Sequence, residues 1–147
     1  MKTEVIYSDD EIKIINGNDV ITMKRSKNDD DDRIFIEQHI AMLERKQFYN
    51  SEHFINEFNE KLETAILATR HSGSGARACR DALLSLYNGS AYKANLSDWY
   101  SLDSKNKAAL LFILEHQTNN NRQDIDLYLP EYASDFARMK NEISDND

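Results

Sequence analysis

Ser104-Lys105-Asn106-Lys107-Ala108-Ala109-Leu110-Leu111-Phe112-Ile113-Leu114-Glu115-His116-Gln117 is the stretch whose reading decides the fold. Seven apolar residues in a row, 108–114, suit a buried strand or a buried helix equally, because periodicity alone does not separate the two. The flanks favour helix. Asp103 and Ser104 are good N-cap residues, Ile113 is the one β-branched residue in 105–115, and Asn119-Asn120-Asn121 supplies a stop. A helix apolar on every side must be covered on several faces. The expected fold is therefore mainly α (α+β): a compact bundle of about five helices around a central buried helix 104–117, with an N-terminal β-hairpin or small meander. A membrane span needs about 20 apolar residues, and Lys107 and Glu115 bound this run, so no membrane insertion is expected.

Working outward, 147 residues suit one structural unit able to bury its apolar side chains without disulfides or metal. A charged fraction of 30% and a single proline lean towards helix. The lone cysteine, Cys79, excludes an intramolecular disulfide, and Met1-Lys2-Thr3-Glu4 lacks the apolar core of a secretory signal, which points to the cytoplasm. Twenty-six acids against 18 bases give a formal charge of -8, which disfavours nucleic acid and anionic membranes as partners. The balance reverses locally, where Arg70, Arg77, Arg80 and Lys93 face only Asp81.

Residues 1–25 read as a β-hairpin or meander, with runs at 4–7, 11–15 and 20–24 and a turn at Asn16-Gly17, a pair that accepts positive φ at both residues. Residues 26–32 read as an acidic linker whose four consecutive aspartates precede the next helix. The helical domain, 33–147, opens with amphipathic helices at 33–48 and 51–70. In the first, Ile36, Ile40, Leu43 and Gln47 share a face; in the second, Phe54, Phe58, Leu62, Ala65 and Thr69 form a stripe widened by Ile55 and Ile66. A third helix, 76–87, follows the break His71-Ser72-Gly73-Ser74-Gly75 with Ser74 as N-cap, buries Cys79, Ala82, Leu83 and Leu86, and stops at Asn88-Gly89. Residues 124–129 alternate polar and apolar as an extended segment would. Pro130 then suits the first turn of a last helix with Tyr132, Phe136, Met139 and Ile143 on one side.

Chemistry-bearing constellations are sparse. Histidines 39, 53, 71 and 116 are dispersed, no pair sits at metal-binding spacing, and no Ser-His-Asp or Cys-His grouping is readable, so no enzyme, metal or cofactor is expected. Two stretches stand out. Ser74, Gly75 and Arg77 begin a helix after a glycine-bearing loop, a pattern that can hold a phosphate or carboxylate; it lacks the lysine-serine/threonine ending of a nucleotide-triphosphate loop. The aromatic loop 90–102 carries Tyr92, Trp99 and Tyr100, which with Arg77 and Arg80 are the candidate partner-binding residues.

Gly75-Ala76-Arg77, Leu83-Leu84-Ser85-Leu86-Tyr87-Asn88, Asn95-Leu96-Ser97-Asp98-Trp99-Tyr100-Ser101-Leu102-Asp103 and Pro130-Glu131-Tyr132 resemble a small helical domain of unknown function carried by bacterial plasmids, prophages and integrative elements. The resemblance covers roughly residues 74–141. It implies a mobile-element setting and brings no activity or catalytic residue. The expected function is a non-enzymatic protein-interaction module or accessory protein of such an element, with a host or element-encoded protein as partner and a homodimer as another arrangement. Two alternatives are weighed against it. One is an anti-CRISPR-like host-defence antagonist whose carboxylates imitate nucleic acid; the other is a small nucleic-acid-associated regulator using the region from Arg70 to Lys93.

Overall fold

A computed structural model describes residues 3–119 and 123–144. Its chain is mainly helical, with a three-stranded antiparallel sheet at the N-terminus, and it forms two compact units, Met1–Phe54 and Ile55–Asp147.

In the first unit, β1 (Glu4–Tyr7), β2 (Glu11–Asn16) and β3 (Asp19–Lys24) make a meander with β2 in the middle. Asn16 pairs with Asp19, so the two turn residues are Gly17 and Asn18, one position later than the sequence suggests. Gly17 alone takes positive φ, at 61°, the pattern of a turn with glycine first. Alternation then sends Ile12 and Ile14 to one face of the sheet, where they form a core with Ile36 and Leu43 of helix α1 (Asp29–Asn50). Ile40 and Phe35 complete it from the helix, and Val5, Ile21 and Met23 from the outer strands.

Helix α1 starts four residues earlier than expected, so the aspartates are its first turn and not a linker. Two local causes account for this. Asn28 caps the helix by accepting from the Asp30 N–H at 3.0 Å, and carboxylates are favoured at the positive end of the helix dipole. Asp32 is buried there; it accepts from the Ser26 N–H at 2.8 Å and lies 3.6 Å from Arg25. A single residue, Ser51, separates α1 from α2 (Glu52–Ala68), donating its hydroxyl to Phe48 O at 2.7 Å and accepting from the Phe54 N–H at 3.2 Å.

In the second unit α2 buries Phe58, Leu62, Ala65 and Ile66, as its stripe predicts, whereas Ile55 is exposed. The hub is α3 (Ser74–Tyr87), which packs against α4 (Ser104–Asn119), α5 (Ala133–Ser144) and the 3-10 turns Leu96–Ser101 and Ile125–Leu127. Ala78, Cys79, Ala82, Leu83 and Leu84 are buried along it, and the small side chains among them let neighbours come close. Gly73, not Ser74, is its N-cap, because the chain arrives at φ +111°, a conformation that only glycine adopts cheaply.

The expectation of a central buried helix 104–117 is not met. Helix α4 buries Ala109, Leu110, Ile113 and Gln117 along one face. On the other, Leu111 is 51% and Leu114 37% exposed, and Phe112 is half-buried. Continuous apolarity signalled cover on every side, but Leu111 and Leu114 face water. Residues 124–129 also differ from expectation: Ile125 is tucked into a 3-10 turn and Leu127 points outward, so the alternation reflects one inserted side chain and not a strand. Pro130 opens a 3-10 turn, Pro130–Tyr132, that runs directly into α5, where Phe136 and Met139 are buried. The asparagine stop after α4 continues into 120–122, which lie outside the described residues.

Candidate functional site

Two surface features of the second unit gather chemistry-bearing side chains. The first is an apolar groove between α3, α4 and the turn Leu96–Ser101. Asn95 caps that turn by accepting from the Ser97 N–H at 3.1 Å. Asp103 caps α4, accepting from the Asn106 N–H at 2.8 Å, and this donor holds the Asp103 carboxyl below its ordinary pKa. Between the two caps the chain is fixed with Leu96 69% exposed, Tyr100 91% exposed and Trp99 half-buried. Leu96 and Trp99 line a cavity of about 190 Å³ floored by Ala82 and Leu110 and edged by Leu114. The same two residues, with Tyr100 and Lys107, line an adjoining hollow of about 370 Å³. The Trp99 Nε1 is buried and has no hydrogen-bond partner among the described residues. Leu111 lies one helical turn from both Lys107 and Leu114, so it extends this apolar strip along α4.

The second feature is a polar cleft of about 540 Å³ between the end of α2, the start of α3 and α5. Asp135, 5% exposed, receives Arg70 Nε at 3.0 Å and Nη2 at 2.8 Å, a bidentate pair, and Arg138 at 3.4 Å. Those donors, Arg70 first, hold the Asp135 carboxyl below the usual range against the opposing effect of burial. Arg138 also donates to Thr69 Oγ1 at 2.8 Å and to Glu142; Arg80 reaches Asp81 at 2.8 Å and Glu142 at 3.5 Å. Of the basic residues between 70 and 93, Arg70 and Arg80 thus meet acids of α5 that lie more than sixty residues further along the chain. Arg77 is exposed and has no ion pair among the described residues.

Placement of the sequence candidates follows from these two features. Trp99 and Tyr100 fall on the apolar groove, and Arg77 and Arg80 on the cleft. Tyr92 belongs to neither: it is half-buried with its ring 6.4 Å from that of Tyr87. Ser74 and Gly75 do not line the cleft, and a Cβ on Gly75 would come 3.1 Å from Ser101 O, so this glycine permits α3 to approach the aromatic turn. Sequence reasoning missed Leu96, Lys107, Leu111 and Leu114 of the groove and Asp135, Arg138 and Glu142 of the cleft, and named Arg70 only as the start of a basic region. A charged face was legible on α5 from the spacing of residues 135, 138 and 142. Cys79 is fully buried, and desolvation pushes its thiol up to about 11. His39 stacks on Phe35 with centroids 3.7 Å apart, and among the described residues no three His, Cys, Asp or Glu side chains assemble as a metal site. No described helix is long and apolar enough to cross a membrane.

Residues 61–143, more than half of the chain, match a family of unknown function, DUF7673. The chain belongs to this family. No curated protein and no solved structure matches it. The DUF7673 span takes in the groove, the cleft and all of α3, α4 and the turns around them, whereas the sheet and α1 lie outside it.

Proposed function

We propose that the chain is a non-enzymatic protein-interaction module of the cytoplasm, an accessory protein of a mobile genetic element, which docks a partner protein on the groove between α3, α4 and the turn Leu96–Ser101. The observation carrying this reading is that the exposed side chains Leu96, Tyr100 and Leu114 line two adjoining hollows, one with a part-enclosed apolar floor, and that exposed Leu111 lies one helical turn from Leu114. Scattered exposed leucines mean little, whereas a contiguous apolar strip beside a pocket that can take an anchor side chain is what a docking surface requires. The mobile-element setting rests on the sequence resemblance alone.

Charge narrows the occupant. Lys107 stands in the first turn of α4 and lines the hollow with Tyr100, so the surface suits an apolar segment flanked by a carboxylate. The test is photo-crosslinking from benzoylphenylalanine placed at position 111 in cells. We expect a discrete product with a different protein, lost in Leu114→Arg and weakened by Lys107→Glu. Crosslinking only to a second copy of this chain, or a product indifferent to the charge reversal, would overturn the reading.

A further inference from the structure

We infer that the arginine cleft of the second unit is a binding site for a small phosphate monoester, held by Arg77 together with the outward edges of Arg70 and Arg80. This site is separate from the docking groove and does not depend on it. Four arginines line the cleft against Asp135 and Glu142, and Asp81 meets Arg80 from behind, so the cleft with its immediate partners keeps a net charge of +1, centred on Arg77, to attract a phosphate. The carboxylates do not compete for the ligand's place, because both are already engaged: Asp135 with Arg70 and Arg138, Glu142 with Arg138 and Arg80. What these pairs do is orient the guanidinium groups. Arg70 is gripped through Nε and Nη2, which leaves Nη1 without a partner among the described residues, and Arg80 is gripped through Nε and Nη1, which leaves Nη2. Arg77 has no side-chain partner among the described residues. Guanidinium forks already fixed by second partners lose little freedom on meeting an oxyanion, and charge-assisted bonds of this kind are the strong ones.

Size and charge select the ligand class. A cleft of about 540 Å³ falls within the range of about 300–1,000 Å³ usual for small-molecule sites. A nucleic-acid backbone would need a basic track extending past the cleft, and the chain as a whole carries -8. Ala76, in the first turn of α3, forms part of the cleft wall, but the guanidinium groups define the site.

The experiment titrates the full chain at constant ionic strength with inorganic phosphate, phenyl phosphate and acetate, following arginine Nε–H and backbone amide resonances by NMR. Saturable shifts at Arg70, Arg77 and Arg80 with phenyl phosphate are expected, with affinity falling about tenfold in Arg77→Gln, the loss of one charge-assisted contact. Arg77→Lys should recover part of it. Because Arg77 has no partner among the described residues, both variants should melt with the unaltered chain. Equal saturable binding of inorganic phosphate would support the oxyanion site with free phosphate as its source. Acetate giving the same drift as phosphate, affinity unchanged in Arg77→Gln, or a single-stranded oligonucleotide binding more tightly than phenyl phosphate would each overturn the inference.

Discussion

Asp135 couples burial, charge and stability at a single side chain. Its carboxylate is nearly out of water and is kept ionised chiefly by Arg70, so its native pKa is lowered. A lowered native pKa means that the carboxylate's contribution is complete above its unfolded pKa of about 4 and is lost as pH falls through the native value. Asp135→Ala should therefore reduce stability at neutral pH by about 2 kcal/mol, at the lower end for a buried charged hydrogen-bonded group because Arg70 is half-exposed and regains water. The deficit should shrink towards zero in strong acid, which denaturant melts at neutral and acidic pH would reveal; a deficit that did not change with pH would reject the ion-pair account. Cys79 gives a second residue-scale expectation. With its thiol buried and pushed up to about 11, labelling by Ellman's reagent at pH 8 should be slow and should follow unfolding, so rapid labelling of the native chain would contradict its place in the core.

Elements show where the linear pattern was readable and where it was not. The stripe on α2 and the apolar side of α5 could be read because each helix meets neighbours along one face and water along the other. The β-meander was likewise legible from alternation, its turn misplaced by one residue because either Asn16-Gly17 or Gly17-Asn18 makes a good hairpin. Helix α4 misled because apolar residues on its outer face imitate burial when they serve a surface, and α3 was underrated because Arg77, Arg80, Asp81 and Ser85 disguise how many elements close on it. Two substitutions separate the faces of α4. Ile113→Ala should cost about 2–5 kcal/mol, whereas Leu111→Lys should stay within about 0.5 kcal/mol of the unaltered chain in urea melts. Similar losses for both would restore a fully covered helix. At the start of α3, Gly73→Ala should cost about 1–3 kcal/mol although nothing lies within 4 Å of the added carbon, because φ +111° is closed to other residues; a neutral result in the same melts would show that the backbone relaxes there.

At the scale of the whole molecule, the cleft was partly hidden because its acids and bases are distant in sequence and converge only when α5 packs against α3. Charge counting along the chain gives a local excess of base at residues 70–93; the fold ties Arg70 and Arg80 to Asp135, Asp81 and Glu142 and leaves Arg77 outward. The groove was half-visible, through Trp99 and Tyr100, and its other half lay in the run that looked most like core. Both features fall inside the span shared with the DUF7673 family. The account therefore turns on the outer face of α4, and hydroxyl-radical footprinting of the isolated chain and of its crosslinked complex tests it most directly. Tyr100, Leu111 and Leu114 should oxidise readily in the isolated chain while Ile113 and Phe136 stay protected, and all three should become protected in the complex. Protection of Leu111 and Leu114 in the isolated monomer would contradict the one-sided helix and the docking surface built on it.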